Sequence, residues 1–385
     1  MKLYGYRRPN GQVGIRNHVL VIPASVCASE VASRIANSVE GAIAIPNQHG
    51  CCQIGEDLEL TTRVLINLGK NPNVASVLVV GLGCEGVPTK HVAEEIAKTG
   101  KRVEYLIIQE NEGTINTEAK GTKIVREMVE ELSLMKKEEI DISEIIISIE
   151  CGGSDTTSGL ASNPAVGYVS DKVVDLGGTS IFSETTEFIG AEHILAKRAV
   201  NPEVAEKIIK IVADCEKKAN TMGVDMRGGQ PTPGNIQGGI TTIEEKSLGC
   251  IFKGGTRPIQ GVLGYGDIPD GKGCYIMDTP GQDIESMTGM VAGGANLVIF
   301  TTGRGTPTGF PIAPVIKVCA NPDSYRRMKD NIDINASTII EGTETIQEVG
   351  ERIFEEMLKV INGKYTKAES LKHREFGIYK MISTF

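Results

Sequence analysis

The stretch that decides the fold is Ile145-Ile146-Ile147-Ser148-Ile149-Glu150-Cys151-Gly152-Gly153-Ser154-Asp155. Its apolar run predicts a buried strand of a parallel sheet, and the two glycines after the thiol allow the backbone to approach a ligand closely. The same layout occurs twice upstream: residues 42–45 lead to His49-Gly50-Cys51-Cys52, and residues 77–80 lead to Gly81-Leu82-Gly83-Cys84-Glu85-Gly86. Ligands of open α/β sheets bind beyond the carboxyl ends of the strands, so the three loops predict a functional site.

Candidate strands alternate with candidate helices over the first 222 residues, beginning with a strand at residues 18–23. This rhythm predicts an α/β fold, with parallel Rossmann-like sheets flanked by helices. Residues 223–239 are rich in glycine and include Pro231 and Pro233, which predicts a boundary or a long functional loop. We therefore expect an α/β domain at residues 1–225, which carries the three cysteine loops. A second α/β portion at residues 226–385 would pack against it and carry the loop Thr302-Gly303-Arg304-Gly305-Thr306-Pro307.

Composition excludes several classes of protein. The 385 residues contain 40 Lys plus Arg against 49 Asp plus Glu and no long basic run, so a nucleic-acid or membrane-surface role has no support. We find neither an apolar core of a signal peptide near the start nor an apolar run of 18 residues. Nine cysteines in such a chain are typical of a reducing compartment, where thiols pack, react or bind metal. The expected location is the cytoplasm.

The cysteine loops have two interpretations. Thiolates are soft ligands for iron–sulfur clusters, zinc or iron, and His49 adds an imidazole, the commonest metal ligand in proteins. Alternatively, the three thiols are small buried groups beside tight turns, since free cysteine is often buried. For the cysteines inside predicted helices or strands we prefer this packing interpretation; they are Cys27, Cys215, Cys250, Cys274 and Cys319. Acids in predicted loops offer hard oxygen ligands as a further alternative, namely Glu85, Asp155, Glu184, Glu187 and Glu192.

Residues 81–86 also match the dinucleotide fingerprint G-x-G-x-x-G, between a predicted strand and a predicted helix. Glu85 inside this match would repel a pyrophosphate, so an NAD-dependent oxidoreductase is a minor alternative. Arginine binds carboxylates with two parallel hydrogen bonds, and Arg304 and Arg16 are therefore candidates to hold a substrate carboxylate, or else solvated surface groups. Lys317 lies in an apolar predicted strand, either with its ammonium group extended to water or as a base of altered pKa.

Several ordered motifs together resemble the altronate dehydratase / galactarate dehydratase family of sugar-acid dehydratases, which also includes the sulfolactate sulfo-lyase large subunit. They are Tyr6-Arg7-Arg8, Gly14-Ile15-Arg16-Asn17, His49-Gly50-Cys51, Gly83-Cys84-Glu85, Cys151-Gly152-Gly153-Ser154-Asp155, Asn163-Pro164, Pro233-Gly234-Asn235, Gly238-Gly239-Ile240-Thr241-Thr242, Glu245-Lys246-Ser247-Leu248-Gly249 and residues 302–307. The resemblance implies an iron(II)-dependent hydro-lyase for a hexonate or hexarate. It also implies a mixed α/β fold with a Rossmann-like sheet that binds no nucleotide.

Site residues follow from this resemblance as a hypothesis. The metal would be surrounded by His49, Cys51, Cys84, Glu85 and Cys151, with Asp155 or Glu184 as alternates. Substrate would be bound by Arg16, Asn17, Ser154, Asn163, Thr302 and Arg304. The general base could be Lys317, His193 or Lys246, and the sequence does not choose among them. The expected cofactor is Fe²⁺, with a [4Fe–4S] cluster or another divalent metal as alternatives.

The partners expected from the resemblance are a small anionic sugar acid and a second, small subunit. Family members often carry a small SAF-type β-clip domain ahead of the Tyr-x-Arg motif, which begins here at Tyr6, so this domain could be a separate subunit. We also expect a homo-oligomer. The alternative function is a sulfolactate-type C–S lyase, and the His-Gly-Cys and Gly-Cys-Glu loops favour the dehydratase branch over it.

Overall fold

The structure, a computed structural model, describes residues 2–229 and 231–384. Its first part contains a small antiparallel sheet and a larger parallel one. In chain order the elements are β1 (Leu3–Arg7), β2 (Val13–Gly14), β3 (His18–Pro23), α1 (Val26–Asn37), β4 (Ala42–Ala44), α2 (Gly55–Lys70), β5 (Val74–Gly81), α3 (Thr89–Ala97), β6 (Arg102–Ile107), α4 (Thr114–Ser133) and β7 (Glu138–Ile140).

Strands β3 to β6 form a four-stranded parallel sheet in the order β4-β3-β5-β6. Helices cover both faces, because alternate side chains of each strand are apolar. Leu20 and Ile22 of β3 pack with α2 and α3, whereas Val19 and Val21 pack with α1 and α4. A sheet buried on both faces has near-continuous apolar strands, and every residue of β5 is buried. The predicted Rossmann-like sheet is confirmed for this part of the chain.

The second part of the chain forms a larger sheet with its own helices. Its elements are β8 (Ile146–Gly152), α5 (Asn163–Asp175), β9 (Thr179–Phe182), α6 (Glu192–Ala196), α7 (Pro202–Thr221), α8 (Met226–Gly229), α9 (Pro233–Gln237), α10 (Ile243–Cys250), β10 (Ile259–Leu263), β11 (Gly273–Met277), α11 (Asp283–Ala292), β12 (Leu297–Thr302), β13 (Val315–Cys319), α12 (Pro322–Arg327), β14 (Ile334–Asn335), α13 (Ser337–Ile340), α14 (Ile346–Ile361) and α15 (Lys367–Ser370). A π-helical turn, Ser158–Ser162, precedes α5.

Seven parallel strands form this sheet in the order β10-β11-β9-β8-β12-β13-β14. Strands β8 and β9 precede residue 225, and the other five follow it. The predicted boundary between residues 225 and 226 therefore does not separate two sheets. The chain divides instead between β6 and β8, where the four-stranded sheet ends and the seven-stranded sheet begins.

The two sheets share one continuous core. A single cluster of buried apolar side chains includes Leu20 and Val77 of the four-stranded sheet together with Val298 and Phe300 of β12. Strand β8 lies at the centre of the larger sheet and is buried from Ile147 to Gly152. The carboxyl end of β8 consequently lies deep in the molecule, where a polar group needs a partner. Among the residues described, no helix is both long and apolar enough to cross a membrane.

Candidate active site at the carboxyl ends of β8 and β9

The predicted metal ligands fall in two places, because their loops belong to two different sheets. His49, Cys51, Cys84 and Glu85 follow β4 and β5 of the four-stranded sheet, and the N–H groups of Gly86 and Val87 donate to the Gly50 carbonyl, at 2.9 and 3.2 Å. Cys151 lies at the carboxyl end of β8, and Asp155 and Glu184 follow β8 and β9 of the seven-stranded sheet. Within the described residues, the four ligands of the first place do not bring three donor atoms within 4.8 Å of one another.

Two side chains of the first place, His49 and Glu85, are bound to the protein itself. His49 donates from Nε2 to the carbonyl of Ile378 at 3.1 Å. Glu85 accepts from the amides of Leu82 and Gly83, at 2.9 and 2.7 Å, and from the Thr89 hydroxyl. Burial acts to raise the pKa of Glu85, but these hydrogen bonds outweigh it and lower the pKa. The amides of the G-x-G-x-x-G match are thus held by a carboxylate of the same loop, which disfavours pyrophosphate binding.

Two thiols meet in the second place. Cys151 Sγ lies 3.9 Å from Cys250 Sγ, 3.2 Å from Ser154 Oγ and 3.6 Å from Asn163 Nδ2. Cys250 reaches this position because Gly249 packs against Gly159, where an added Cβ would lie 2.9 Å from the Gly249 Cα. The sequence interpretation of Cys250 as a packing residue thus missed its neighbour Cys151.

The Cys151 thiol is more acidic than an ordinary one. Hydrogen bonding with Cys250, the neighbouring Lys253 ammonium and the Ser154 hydroxyl together outweigh burial and bring the pKa of Cys151 to about 7. The pKa of Cys250 is raised, first by the same hydrogen bond and then by burial. A buried thiol with a pKa near neutrality can exchange a proton at physiological pH.

A buried lysine joins the two carboxylates that follow β9. Lys253 Nζ donates to Glu184 Oε2 at 2.5 Å and to Glu187 Oε2 at 2.8 Å, and no part of the lysine side chain is exposed. Glu184 Oε2 also accepts from the Cys151 N–H, at 3.0 Å. Glu184 has a positive φ of 77°, which is rare for a residue with a side chain and concentrates at functional sites. Lys246 Nζ lies 3.4 Å from Glu187 Oε1.

Glu184 also belongs to a second group of carboxylates. Oxygens of Glu150, Glu184 and Asp283 lie within 4.8 Å of one another, as do donor atoms of Cys151, Glu187 and Cys250. Glu150 Oε2 accepts from Ser286 Oγ at 2.7 Å, whereas the buried Oε1 has no hydrogen-bond partner in the part of the chain that the structure describes. Burial raises the pKa of Glu150 and of Glu184 well above the ordinary value. The donor sets of both groups suit a divalent cation.

A cavity of about 260 Å³ opens beside the thiols. Its lining includes Ser154, Asn163, Lys246 and Cys250, together with the π-helical turn before α5. Such turns are frequent at functional sites, and the volume lies slightly below the usual range for ligand pockets, so it suits only a small molecule. Burial acts to lower the pKa of Lys246, but the Glu187 carboxylate outweighs it and raises that pKa. The cavity wall therefore includes a lysine whose ammonium form is stabilised by a neighbouring carboxylate.

The other predicted substrate ligands divide into two groups. Arg304 is exposed and lies over α9, donating to the Gly234 carbonyl at 3.2 Å, while Thr302 Oγ1 accepts from the Gly305 amide. Arg16 is bound elsewhere in the fold. All five of its N–H groups donate to protein atoms, and its Nε forms a salt bridge with Glu369 at 2.7 Å. Asn17 accepts from Arg8 at 2.7 Å. The structure thus brings Ser154 and Asn163 together but not Arg16 and Asn17.

Three more predicted residues have surroundings that bear on their proposed roles. Lys317 Nζ donates to the carbonyls of Pro307 and Thr308, both at 2.8 Å, and burial lowers its pKa to about 8. Asp155 accepts from Ser158 and Thr157 on Oδ1 and from Asn321 on Oδ2. His193 is exposed on α6. Of the three predicted bases, Lys246 alone is among the residues that line the 260 Å³ cavity.

Sequence reasoning missed several residues of the site. They are Glu150, Cys250, Lys253 and Asp283, and Glu187 was proposed only as a member of a larger set of acids. Lys253 did have a signal, since it follows Ile251-Phe252 and is followed by two glycines. A lysine in an apolar turn requires a buried partner.

Comparisons with known proteins agree with this architecture. Residues 142–384 match the family described as D-galactarate/Altronate dehydratase, C-terminal, and residues 5–133 match D-galactarate dehydratase/Altronate hydrolase, second domain. The chain is 42% identical to the (2R)-sulfolactate sulfo-lyase subunit beta of Chromohalobacter salexigens, over 99% of this chain and 97% of that protein. It is 34% identical to altronate dehydratase of Bacillus subtilis and 33% identical to galactarate dehydratase (L-threo-forming) of Escherichia coli, over 98% and 99% of this chain and 77% and 76% of those proteins.

Proposed function

The chain belongs to the D-galactarate/altronate dehydratase family and is a carbon–oxygen lyase, and from this premise we propose that it dehydrates a sugar acid of the altronate or galactarate kind. The product would be a 2-keto-3-deoxy acid. The observation that carries the proposal is the cavity at the ends of β8 and β9, where a protonated lysine, Lys246, lies beside the Cys151–Cys250 pair.

The reaction would remove the C2 proton and expel the C3 hydroxyl, after which the enol becomes the keto acid. A C2 proton beside a carboxylate is weakly acidic, so negative charge on the substrate must be stabilised as the proton leaves. Lys246 is suited to this task, because Glu187 keeps its ammonium charged. As a charged group, Lys246 can bind the substrate carboxylate or donate a proton to the leaving hydroxyl, but it cannot abstract a proton.

The base would then be another group of the same network. Cys151 is the strongest candidate, with a pKa of about 7, and a proton could pass to it through Cys250 or Ser154 at the wall of the cavity. An acid or base that works near its own pKa is the most effective. Arg304, exposed over α9, would bind the more distant part of a long substrate.

Metal dependence is part of the proposal. Carboxylates or thiols at the ends of β8 and β9 would hold Fe²⁺, and the ion would supply Lewis-acid stabilisation of the negative charge that develops on the substrate. Support comes from the chemistry of the donors, since a carboxylate group and a thiol-containing group both lie at the ends of β8 and β9. Iron analysis with acid-labile sulfide analysis separates a mononuclear metal from a [4Fe–4S] cluster.

A C–S lyase is the second candidate. One observation favours it specifically: the chain is 42% identical to the sulfo-lyase subunit beta, against 34% and 32% for the two altronate dehydratases. The elimination would be the same, with sulfite in place of water as the leaving group at C3. The word "subunit" in that name also supports a second chain as partner, for which a small SAF-type subunit is our proposal.

The test is a substrate screen under anaerobic conditions. The protein is incubated with iron(II) and reductant, with and without a candidate small subunit, and with altronate, galactarate or sulfolactate in turn. A 2-keto acid without sulfite supports the dehydratase, and a 2-keto acid with equimolar sulfite supports the C–S lyase. A screen of aldonates, aldarates and sulfolactate that yields no keto acid contradicts both.

A further inference from the structure

Glu150, Glu184 and Asp283 form a compact group of carboxylates at the end of β8. Their oxygens lie within 4.8 Å of one another, and an added Cβ at Gly152 would lie 2.3 Å from Asp283 Oδ2. The backbone of β8 thus approaches the group closely, and an added side chain at Gly152 would displace the Asp283 carboxylate. We propose that this group binds one hard divalent cation, such as Mg²⁺, Mn²⁺ or Fe²⁺, a proposal that rests on the lyase function above; none of the three carboxylates is among the residues that line the 260 Å³ cavity.

An unpartnered oxygen points to a ligand in this group. Glu150 is completely buried, and its Oε1 has no hydrogen-bond partner among the described residues. Its other oxygen, Oε2, is oriented by Ser286 at 2.7 Å. A buried carboxylate oxygen without a partner costs free energy, and a bound cation would supply the missing contact.

The neighbouring thiol-containing group suits a cation less well. Its carboxylate, Glu187, already binds two ammonium groups, Lys253 at 2.8 Å and Lys246 at 3.4 Å. By contrast, both hydrogen bonds to Glu184 end on Oε2, so its Oε1 is available to the carboxylate group. Asp283 is half-buried, which gives an ion a path from the solvent.

The proposal is tested by titrating the EDTA-treated full-length protein with Mn²⁺ alone and following free Mn²⁺ by electron paramagnetic resonance. We expect one tight site per chain. Glu150→Gln and Asp283→Asn should weaken Mn²⁺ binding by about 100-fold or more, since removal of groups that merely support metal ligands costs 10–100-fold. Glu285→Gln, two residues along α11, and Cys250→Ser should bind as the unchanged protein does.

Folding is checked separately, because the unfolding midpoints of the metal-free variants show whether a loss of binding is a loss of structure. Absence of a tight site, equal binding in Glu150→Gln and Asp283→Asn, or loss of binding in Cys250→Ser alone would overturn the proposal. Lyase activity is measured independently. Tight Mn²⁺ binding without turnover of any acid contradicts the proposed function only, whereas turnover without a Mn²⁺ site contradicts the cation site only.

Discussion

Replacement of Lys253 by methionine would remove the one ammonium group that binds both Glu184 and Glu187. The side chains of the three residues are 0 to 2% exposed, so neither carboxylate can turn to water for compensation. Breaking a buried ion pair by removal of one partner costs about 3–5 kcal/mol. We expect the upper half of this range, because Lys253→Met leaves two carboxylates near each other without their shared partner.

Urea unfolding measures this cost. With an m value of about 3 kcal/mol/M, the upper end for small proteins, a loss of about 4–5 kcal/mol lowers the midpoint by roughly 1.3–1.7 M. The control is Lys207→Met, which removes a surface ion pair with Glu203 on α7. Exposed pairs contribute little, so the control should unfold at the midpoint of the unchanged protein.

Two further measurements isolate the electrostatic cause. The deficit of Lys253→Met should shrink as the pH falls, because Glu184 and Glu187 then become protonated and no longer repel. A second substitution, Glu184→Gln, should restore part of the lost stability, since it removes one unpaired charge. The reasoning is refuted if Lys253→Met unfolds within about 0.3 M of its Lys207 control, or if its deficit is the same at pH 8 and pH 5.

Three more outcomes are expected. Arg16→Met should cost about 3 kcal/mol and increase proteolysis of the C-terminal segment, because Arg16 holds that segment through Glu369 and two carbonyls; equal cleavage rates would contradict this. In EDTA-treated protein, Glu150→Gln should raise the urea midpoint at pH 8. Burial and then Asp283 raise the pKa of Glu150 in the folded protein. The unchanged protein therefore gains stability as the pH falls. The advantage of Glu150→Gln should consequently disappear near pH 4.5, the ordinary pKa of a glutamate. Gly152→Ala should lose activity and Mn²⁺ affinity, because its Cβ would collide with Asp283; unchanged titrations would refute the close approach.

The sheets could be predicted from sequence because apolar strands and helical spacing are local signals. The same means left two interpretations of residues 223–239, a boundary or a long functional loop, since glycine and proline mark loops of every kind. In the structure this segment contacts the site: Asn235 donates to the Ser154 carbonyl at 2.8 Å. The segment includes α8 and α9 and precedes β10 of the larger sheet.

The site could be predicted only in part, for a related reason. Cys151 and Glu184 could be found because each follows a strand directly, where ligands of α/β sheets bind. Cys250 and Lys253 come about seventy to a hundred residues later on α10 and the turn after it, and only tertiary packing brings them to Cys151 and Glu184. Similar layout also suggested that all three cysteine loops meet, but β4 and β5 belong to one sheet and β8 to another.

The central claim is that the cavity beside Cys151 and Cys250 is the active site of a lyase that acts on a 2-hydroxy acid. The most direct measurement is kcat/KM for Lys246→Met, compared with Lys207→Met, on whichever acid the unchanged protein converts to a keto acid. The account predicts that Lys246→Met loses roughly 10²–10⁴-fold in kcat/KM, as expected for removal of an acid–base or charge-stabilising group, while Lys207→Met keeps its rate. Equal kcat/KM for the two variants would contradict it.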